Sequence, residues 1–549
     1  MTANKNGGHK NRSLLILNFV LHFALTFLCV YRFSLLAPLA LVETFDLGWL
    51  IQTGVYISKS GIPHHDVFSW TFPERAFTAY QWLAELFLGT LYQWGGFYSI
   101  GLLASIAAGL LYFFILPSIW LSMGVRVPLI LGAMSFILTP HFFNARPQLF
   151  SYLALLGTVL LMEKVSGLKK YLLFLPLLAI WVNVHSFWLF GLGIVIIYLL
   201  QEKNLKILPV IACIVALLAV TLLNPYGAGL HAYLKTFLDG SQFMQMREVE
   251  PSWTDPAVKT WLIYMIFAWL TILRAGKKLS PAGIFACLIT TIFSILVRRY
   301  QSLAVIVTWF YFGQAISFIP QARAVDLIQP ARMRLLLAAI AITTPLIVWT
   351  LICPSEKAAR VLFYEGNEDV LDYYRELKND YQGFCDPTSG SWLIAKGCLP
   401  VFIDTRYDMY PKDFCQTVLT ILRSDPNWSQ SLSKWPVKML LLRDDFPLHQ
   451  TLLADKNWYP AVDNGRLSIW LPGAVSQNKA ELTRLTLGDE QLIALAKEHP
   501  QNPLFARTLQ ARHIWYLNIR KTVGDQQGHG GEGGLRQLKI KLLLVNTKL

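Results

Sequence analysis

Apolar residues come in long runs over the first two-thirds of the chain and in short runs after it. Stretches with almost no charge occupy roughly 14–42, 98–122, 127–140, 148–163, 171–184, 186–200, 206–223, 258–273, 280–297, 301–318 and 335–353. A bilayer core about 30 Å thick is crossed by about 20 apolar helical residues, so the pattern predicts an α-helical polytopic membrane region of about 11 spans. The runs at 127–140 and on either side of His185 are short for that purpose. Pro140, Pro147 and Pro176 predict broken or tilted helices there. Residues 355–475 change character. Short apolar runs at 400–404, 437–442 and 466–470 read as strands, alternating with helices at 369–377 and 414–423, which predicts a small C-terminal α/β domain. Residues 476–523 read as two helices around His499-Pro500, and 524–549 as a flexible basic tail containing Gly-His-Gly-Gly-Glu-Gly-Gly.

The chain is organised around residues 43–97, between the first two long runs. This stretch carries Trp49, Trp70, Trp82 and Trp94 together with Asp46, Asp66, Glu74 and Glu85. Tryptophan favours an interface, with its ring in apolar matter and its N–H near water. The spacing of apolar residues from position 47 to 57, and again over 82–94, predicts two amphipathic helices lying in the plane of a membrane, joined by a Gly61-Ile62-Pro63 turn.

Charge adds an orientation. Lys5, Lys10, Arg12, Lys164, Lys169, Lys170, Lys277 and Lys278 fall on one set of alternate connections. The bias of basic residues toward cytoplasmic loops places residues 1–13 in the cytoplasm, and 43–97 and everything beyond 353 outside, in a bacterial inner membrane. The net charge of +14 is read as this bias rather than as a nucleic-acid surface. Only 15% of residues are charged, against about 25% in soluble proteins. No Walker loop, HExxH or paired CxxC is present. Cys29, Cys213 and Cys287 lie in apolar runs and read as packing. An extracytoplasmic C-terminal region would permit one disulfide, with Cys385–Cys398 the candidate pair.

Polar residues cluster on connections of one parity: His64, His65 and Asp66; Arg146; His185; Glu248 and Glu250; Arg298 and Arg299. Ionisable groups at membrane depth are costly and tend to line a cavity, so the pattern predicts one outward-facing polar site. Each member has a plainer reading. Asp46 can cap a helix. His64-His65-Asp66 offers metal ligands or a solvated turn. Arg146 binds phosphate or serves only a helix end, and His185 is a ligand contact or a satisfied core histidine. Arg298 and Arg299 match an anion clamp, because guanidinium pairs with phosphate oxygens bidentately.

Asp46-Leu47-Gly48-Trp49, Gly61-Ile62-Pro63, Asp66-Val67-Phe68-Ser69-Trp70 and Gln81-Trp82-Leu83-Ala84-Glu85 resemble the first outer loop of bacterial GT-C superfamily membrane proteins, the polyprenyl-phosphate-sugar-dependent glycosyltransferases and their relatives. Ala145-Arg146-Pro147-Gln148, Trp181-Val182-Asn183-Val184-His185, Asn224-Pro225-Tyr226-Gly227 and Phe402-Ile403-Asp404-Thr405-Arg406 extend the resemblance over about 43–475. It implies that Asp46 is a catalytic base or binds a metal, a divalent cation such as Mg or Mn; His64 and His65 are candidate ligands by their own chemistry. It implies a lipid-linked sugar donor, with Arg146, Arg298 and Arg299 on the donor phosphate. Asp66, Glu85, His185, Glu248 and Glu250 would then bind or support substrate. Paired acids are common in that loop of the family. Here Glu43 and Asp46 are spaced differently.

The sequence therefore reads as an inverting glycosyltransferase acting on an unspecified glycan, lipid or protein acceptor, with Asp404 and Arg406 as polar candidates for acceptor recognition. A transporter of a lipid-linked glycan would use a similar cavity but calls for inverted repeats, and none is visible. A non-catalytic envelope assembly protein would leave the carboxylates dispensable.

Overall fold

The computed structural model describes residues 46–109, 146–202, 206–238, 250–254, 258–318, 367–379, 382–473, 488–500 and 502–524. The chain divides into two compact units. A helical unit takes in 53–64 and 78–354. A C-terminal unit takes in 355–549 together with 45–52 and 65–77.

The described helices of the first part of the chain are α1 (Leu47–Ser60), α2 (Trp82–Gly109), α3 (Gln148–Lys164), α4 (Lys169–Trp181), α5 (Trp188–Leu200), α6 (Ile207–Val220), α7 (Gly229–Leu238), α8 (Val258–Ala275), α9 (Pro281–Leu296) and α10 (Gln301–Ser317). Among the described residues no helix is long and apolar enough to cross a membrane. That overturns the polytopic reading, its about 11 spans and the multi-pass inner-membrane placement with an extracytoplasmic C-terminus. The reason is helix length. Helices α3 to α6 and α8 to α10 hold 13 to 18 residues, or about 20–27 Å. Helix α2 counts 28 residues but is two helices across a kink: Gly95 and Gly96 leave helical geometry, and Gly96 takes φ 60°, ψ −152°, open essentially to glycine alone. The runs at 14–42, 127–140 and 335–353 lie outside the described residues.

Much of the apolar content is spent on helix-to-helix packing. Leu155, Leu156 and Val159 of α3, Val195 of α5, Ala286 of α9 and Val307 and Phe310 of α10 are fully buried. Ile207, Leu208, Ile211 and Val215 of α6, and Ile263, Ile266, Phe267 and Leu270 of α8, are exposed. Lys170, read as an orienting surface charge, is instead buried and pairs with Glu202 at 2.9 Å.

The in-plane helices are also corrected. Trp49 is buried and its indole N–H points to Asp46 at 3.4 Å. The indole of Trp82 donates to Asn183 Oδ1 at 2.7 Å. Within the helical unit the second half of α1 meets α2 at Gly54 and Gly89. A Cβ on Gly54 would lie 1.8 Å from the Glu85 carbonyl oxygen, and one on Gly89 would lie 2.5 Å from the Gly54 carbonyl carbon. Two backbones touch there, which only missing side chains allow.

In the C-terminal unit, β1 (Gly383–Cys385), β2 (Met439–Arg443), β3 (Trp458–Asp463) and β4 (Leu467–Pro472) form a mixed sheet in the order β1-β2-β4-β3. β1 and β2 are parallel, and β4 is antiparallel to both neighbours. The run Leu440-Leu441-Leu442 is fully buried, as a strand covered on both faces requires. Pro460 is tolerated because β3 is an edge strand with a register shift at that point. Around the sheet lie α11 (Glu368–Leu377), α12 (Pro387–Ala395), α13 (Lys412–Leu422), α14 (Trp428–Leu432), α15 (Pro447–Leu452), α16 (Asp489–Glu498) and α17 (Pro503–Gly524). The run at 400–404 is not a strand of this sheet. Val401 forms an isolated parallel bridge to Ser69, with Trp70 N–H donating to the Val401 carbonyl at 3.0 Å and Val401 N–H to that of Phe68 at 2.8 Å.

Cys385 and Cys398 are free thiols, so the expected disulfide does not form. Each is buried with its own carbonyl neighbour, Ile403 and Lys396 respectively. Burial pushes the Cys385 thiol up to about 12.

Substituting Gly54→Ala forces the α1–α2 backbones apart. It should lower stability by about 1–3 kcal/mol or more, read as an earlier midpoint in denaturant unfolding. An unchanged midpoint would mean that the close approach does not hold the unit.

Candidate functional site

Three helix N-termini of the helical unit come together around His185. Arg146 sits two residues before α3, His185 three before α5 and Arg299 two before α10. Helix α3 packs against both α5 and α10. Ser151, in the first turn of α3, lies 3.2 Å from His185 Nδ1. The 298–300 turn packs on the start of α5, with the Tyr300 ring 5.8 Å from Phe187 and 4.9 Å from Phe190. Each helix N-terminus carries about half a positive charge, so this end of the bundle favours an anion.

The protonation of His185 follows from its neighbours. The Phe187 backbone N–H donates to Nδ1 at 3.3 Å, and an N–H can only donate. Ser151 Oγ accepts the Trp181 indole N–H at 2.8 Å, leaving its own proton for the same Nδ1. The single ring proton is therefore on Nε2. Burial, then the charges of Arg299 and Arg146, hold the imidazole well below its ordinary pKa and keep it neutral. His185 is 1% exposed, and its Nε2–H is buried with no hydrogen-bond partner among the described residues. The site thus holds one N–H donor within reach of the charges of Arg146 and Arg299. Glu85 is buried in the same unit, near Tyr226, whose phenol oxygen accepts the Ala79 N–H at 2.9 Å. Burial first pushes Tyr226 up to about 12; the Ala79 N–H opposes this and the Glu85 charge adds to it.

Arg298 donates its backbone N–H to the Glu250 carbonyl at 2.9 Å, and Gln301 reaches Ser252 Oγ at 2.9 Å, so segment 250–254 is laced to this turn. The Glu250 side chain is exposed and accepts from Thr254 at 3.1 Å. Glu248 lies outside the described residues.

The other expected acids belong to the C-terminal unit. Asp46 Oδ1 accepts the Thr405 hydroxyl at 2.7 Å. Asp66 is fully engaged: Oδ1 accepts Phe68 N–H at 3.1 Å and Arg406 Nη2 at 2.8 Å, and Oδ2 accepts both the N–H and the hydroxyl of Ser69. Asp404 accepts Arg406 Nε at 2.9 Å, Arg406 Nη2 at 2.6 Å and the Tyr410 hydroxyl at 2.9 Å. The Arg406 guanidinium lies 4.9 Å from the Phe68 ring centre and 5.1 Å from that of Phe77. Asp66, Asp404 and Arg406, expected at substrate, form a buried structural ion cluster.

His65 Nδ1 donates to the Glu74 carbonyl at 3.1 Å, while His64 belongs to the helical unit and meets Tyr226 edge-on at 6.0 Å. Neither histidine belongs to a group of three metal-capable side chains among the described residues. The one group of three metal-capable side chains among those residues is Asp444, His449 and Asp463. The sequence carried a signal for it: Asp463-Asn464-Gly465 between two apolar runs is a hairpin turn, which sets Asp463 at a strand end.

Removing the buried guanidinium by Arg406→Met leaves two buried carboxylates unpaired and should cost about 3–5 kcal/mol in denaturant unfolding. His185, depressed in the folded state, must take up a proton on unfolding once the pH falls below its ordinary 6.5. Its contribution is therefore intact above pH 6.5 and lost as the pH drops toward the folded value, by about 1.4 kcal/mol per pH unit. His185→Gln should flatten that part of the stability–pH curve, and a parallel curve would refute the neutral assignment.

No protein-family model matches this chain, and no curated protein matches it.

Proposed function

We propose that the chain is a glycosyltransferase whose helical unit binds the phosphate of a phosphate-linked sugar donor through Arg146, Arg299 and His185 Nε2–H. One observation carries this reading: a buried, unpartnered N–H donor of a neutral histidine stands where two guanidinium groups and three helix N-termini meet. An anion with several acceptor oxygens answers that arrangement. The sugar, and a polyprenyl carrier for it, rest on the GT-C resemblance.

In such a transfer the bond between the anomeric carbon and the phosphate oxygen breaks, and the electron pair stays on phosphate. Positive groups already aimed at that oxygen set stabilise the charge as it grows. His185 cannot serve as the base, because its Nδ1 lone pair is occupied by the Phe187 N–H and the Ser151 hydroxyl. It acts as a fixed donor. The acceptor hydroxyl gives its proton to a carboxylate as the new glycosidic bond forms.

The test uses purified full-length protein, polyprenyl-phosphate-linked sugars kept dispersed by detergent, and candidate acceptors, with and without Mg²⁺ or Mn²⁺. Wild type should release polyprenyl phosphate. Arg146→Gln and Arg299→Gln should each lower turnover about 10²–10³-fold. Donor binding that neither arginine substitution weakens would sink the phosphate assignment. Donor bound but never cleaved, with any acceptor, would turn the reading toward a carrier.

A further inference from the structure

The C-terminal unit holds a second cluster that the transfer reading does not use. Asp444 follows the end of β2, Asp463 closes β3, and His449 lies in α15 between them in sequence. β2 and β3 flank β4 on either side, and their ends face its first residues: Arg443 pairs with Leu467 and Asp463 with Ser468. Both carboxylates therefore stand at one end of the sheet, and the Asp444 N–H is tied to the turn by a 2.9 Å bond to the Arg466 carbonyl. One ligand atom from each of the three side chains lies within 4.8 Å of the other two.

The hydrogen bonding leaves this cluster one donor short. His449 Nε2 faces Asp463 Oδ2 at 3.0 Å and Asp444 Oδ1 at 3.4 Å. The Gln450 amide lies 3.4 Å from Nδ1 and satisfies that nitrogen as a donor. Whatever the charge of the ring, Nε2 holds one proton for two carboxylates. It goes to the nearer one. Asp444 Oδ1 is left buried with no hydrogen bond. A doubly charged cation in place of that proton would give all three side chains a partner at once.

The surroundings are pre-set for this. Gly465 N–H holds Asp463 Oδ1 at 2.8 Å, and Thr508 bonds both the N–H and the carbonyl of Asp463. The Trp470 ring stands edge-on to His449 at 5.6 Å. The neighbouring Asp445 is engaged by Arg443. Arg507 is the positive charge that opposes a cation here.

We propose that Asp444, His449 and Asp463 bind a divalent transition-metal ion, with Zn²⁺ the cation this donor set fits. An imidazole nitrogen with two carboxylate oxygens suits zinc, whereas Mg²⁺ and Ca²⁺ prefer oxygen alone. The Asp444 side chain is 25% exposed, so the cluster lies at the edge of solvent. With Nε2 on the metal the ring proton sits on Nδ1, and Gln450, its amide turned so that the oxygen faces the ring, accepts that N–H as outer partners of metal-bound histidines do.

The experiment is equilibrium dialysis of untagged full-length protein against Zn²⁺, Mn²⁺ or Mg²⁺, with metal content read by mass spectrometry and folding followed by circular dichroism. Wild type should retain one Zn²⁺ per chain and no Mg²⁺. Gln450→Ala should weaken zinc affinity about 10–100-fold. His449→Gln and Asp463→Asn should abolish retention. Asp444→Asn, at the more exposed edge, should keep the fold and still lose zinc, which decides the matter if the buried substitutions unfold the unit. The double variant His64→Asn, His65→Asn should bind zinc as wild type does. Failure to retain Zn²⁺, retention undiminished by Asp444→Asn, or loss only in the His64/His65 variant would each overturn the site. None of these outcomes depends on transferase activity.

Discussion

A guanidinium group in a protein interior must have carboxylates, and the C-terminal unit is built around one that does. The Arg406 side chain is 1% exposed, and those of Asp66 and Asp404 are 0% exposed. Burying any of the three without the others costs several kcal/mol, so their association is a condition of folding rather than an ornament. The pair Asp66–Arg406 joins positions 340 residues apart. It explains why segment 65–77 belongs to the C-terminal unit although the chain on both sides of it belongs to the helical unit. The Phe68 and Phe77 rings then close over the guanidinium, and the 68–70 strand-like stretch pairs with Val401.

The helical unit follows a different rule. Its helices are short, and several begin at the same end. A helix start is electrically positive, so bringing three of them together with Arg146 and Arg299 concentrates positive charge. The unit answers by keeping His185 neutral, through burial above all. An imidazole so held is a poor base and a dependable donor. The same neutral form puts its Nε2–H at the centre of the proposed phosphate cradle.

Some of this was legible in the chain. Arg146 and Arg299 do lie close enough to His185 for their charges to act on its ring, although the alternation that grouped them assumed spans that these helices are too short to make. Ser151, which helps fix the tautomer of His185, gave no signal, since a serine inside an apolar run looks like any other. The runs at 437–442 and 466–470 coincide with β2 and β4, whereas 400–404, equally apolar, pairs with a distant segment instead. Apolar runs also mislead about length: hydropathy counts residues, but Gly95 and Gly96 divide one helix, and α3 to α6 and α8 to α10 end after 13 to 18 residues.

The sequence by itself marked α11, α13, β2 and β4 of the 355–475 stretch, because hydrophobic period is a local property, but not β1, β3, α12, α14 or α15. It also determined which residues have the chemistry to bind an anion. Only the tertiary structure decided their partners. Asp66 looked like a substrate ligand and is consumed by Arg406. His64 and His65 looked like a metal pair; His65 bonds the Glu74 carbonyl and His64 meets the Tyr226 ring. Asp444, His449 and Asp463, unremarked in the chain, meet at the end of a sheet. Adjacency in sequence fixes neither distance nor desolvation, and those two quantities set the charge state and the partners of each of these polar groups.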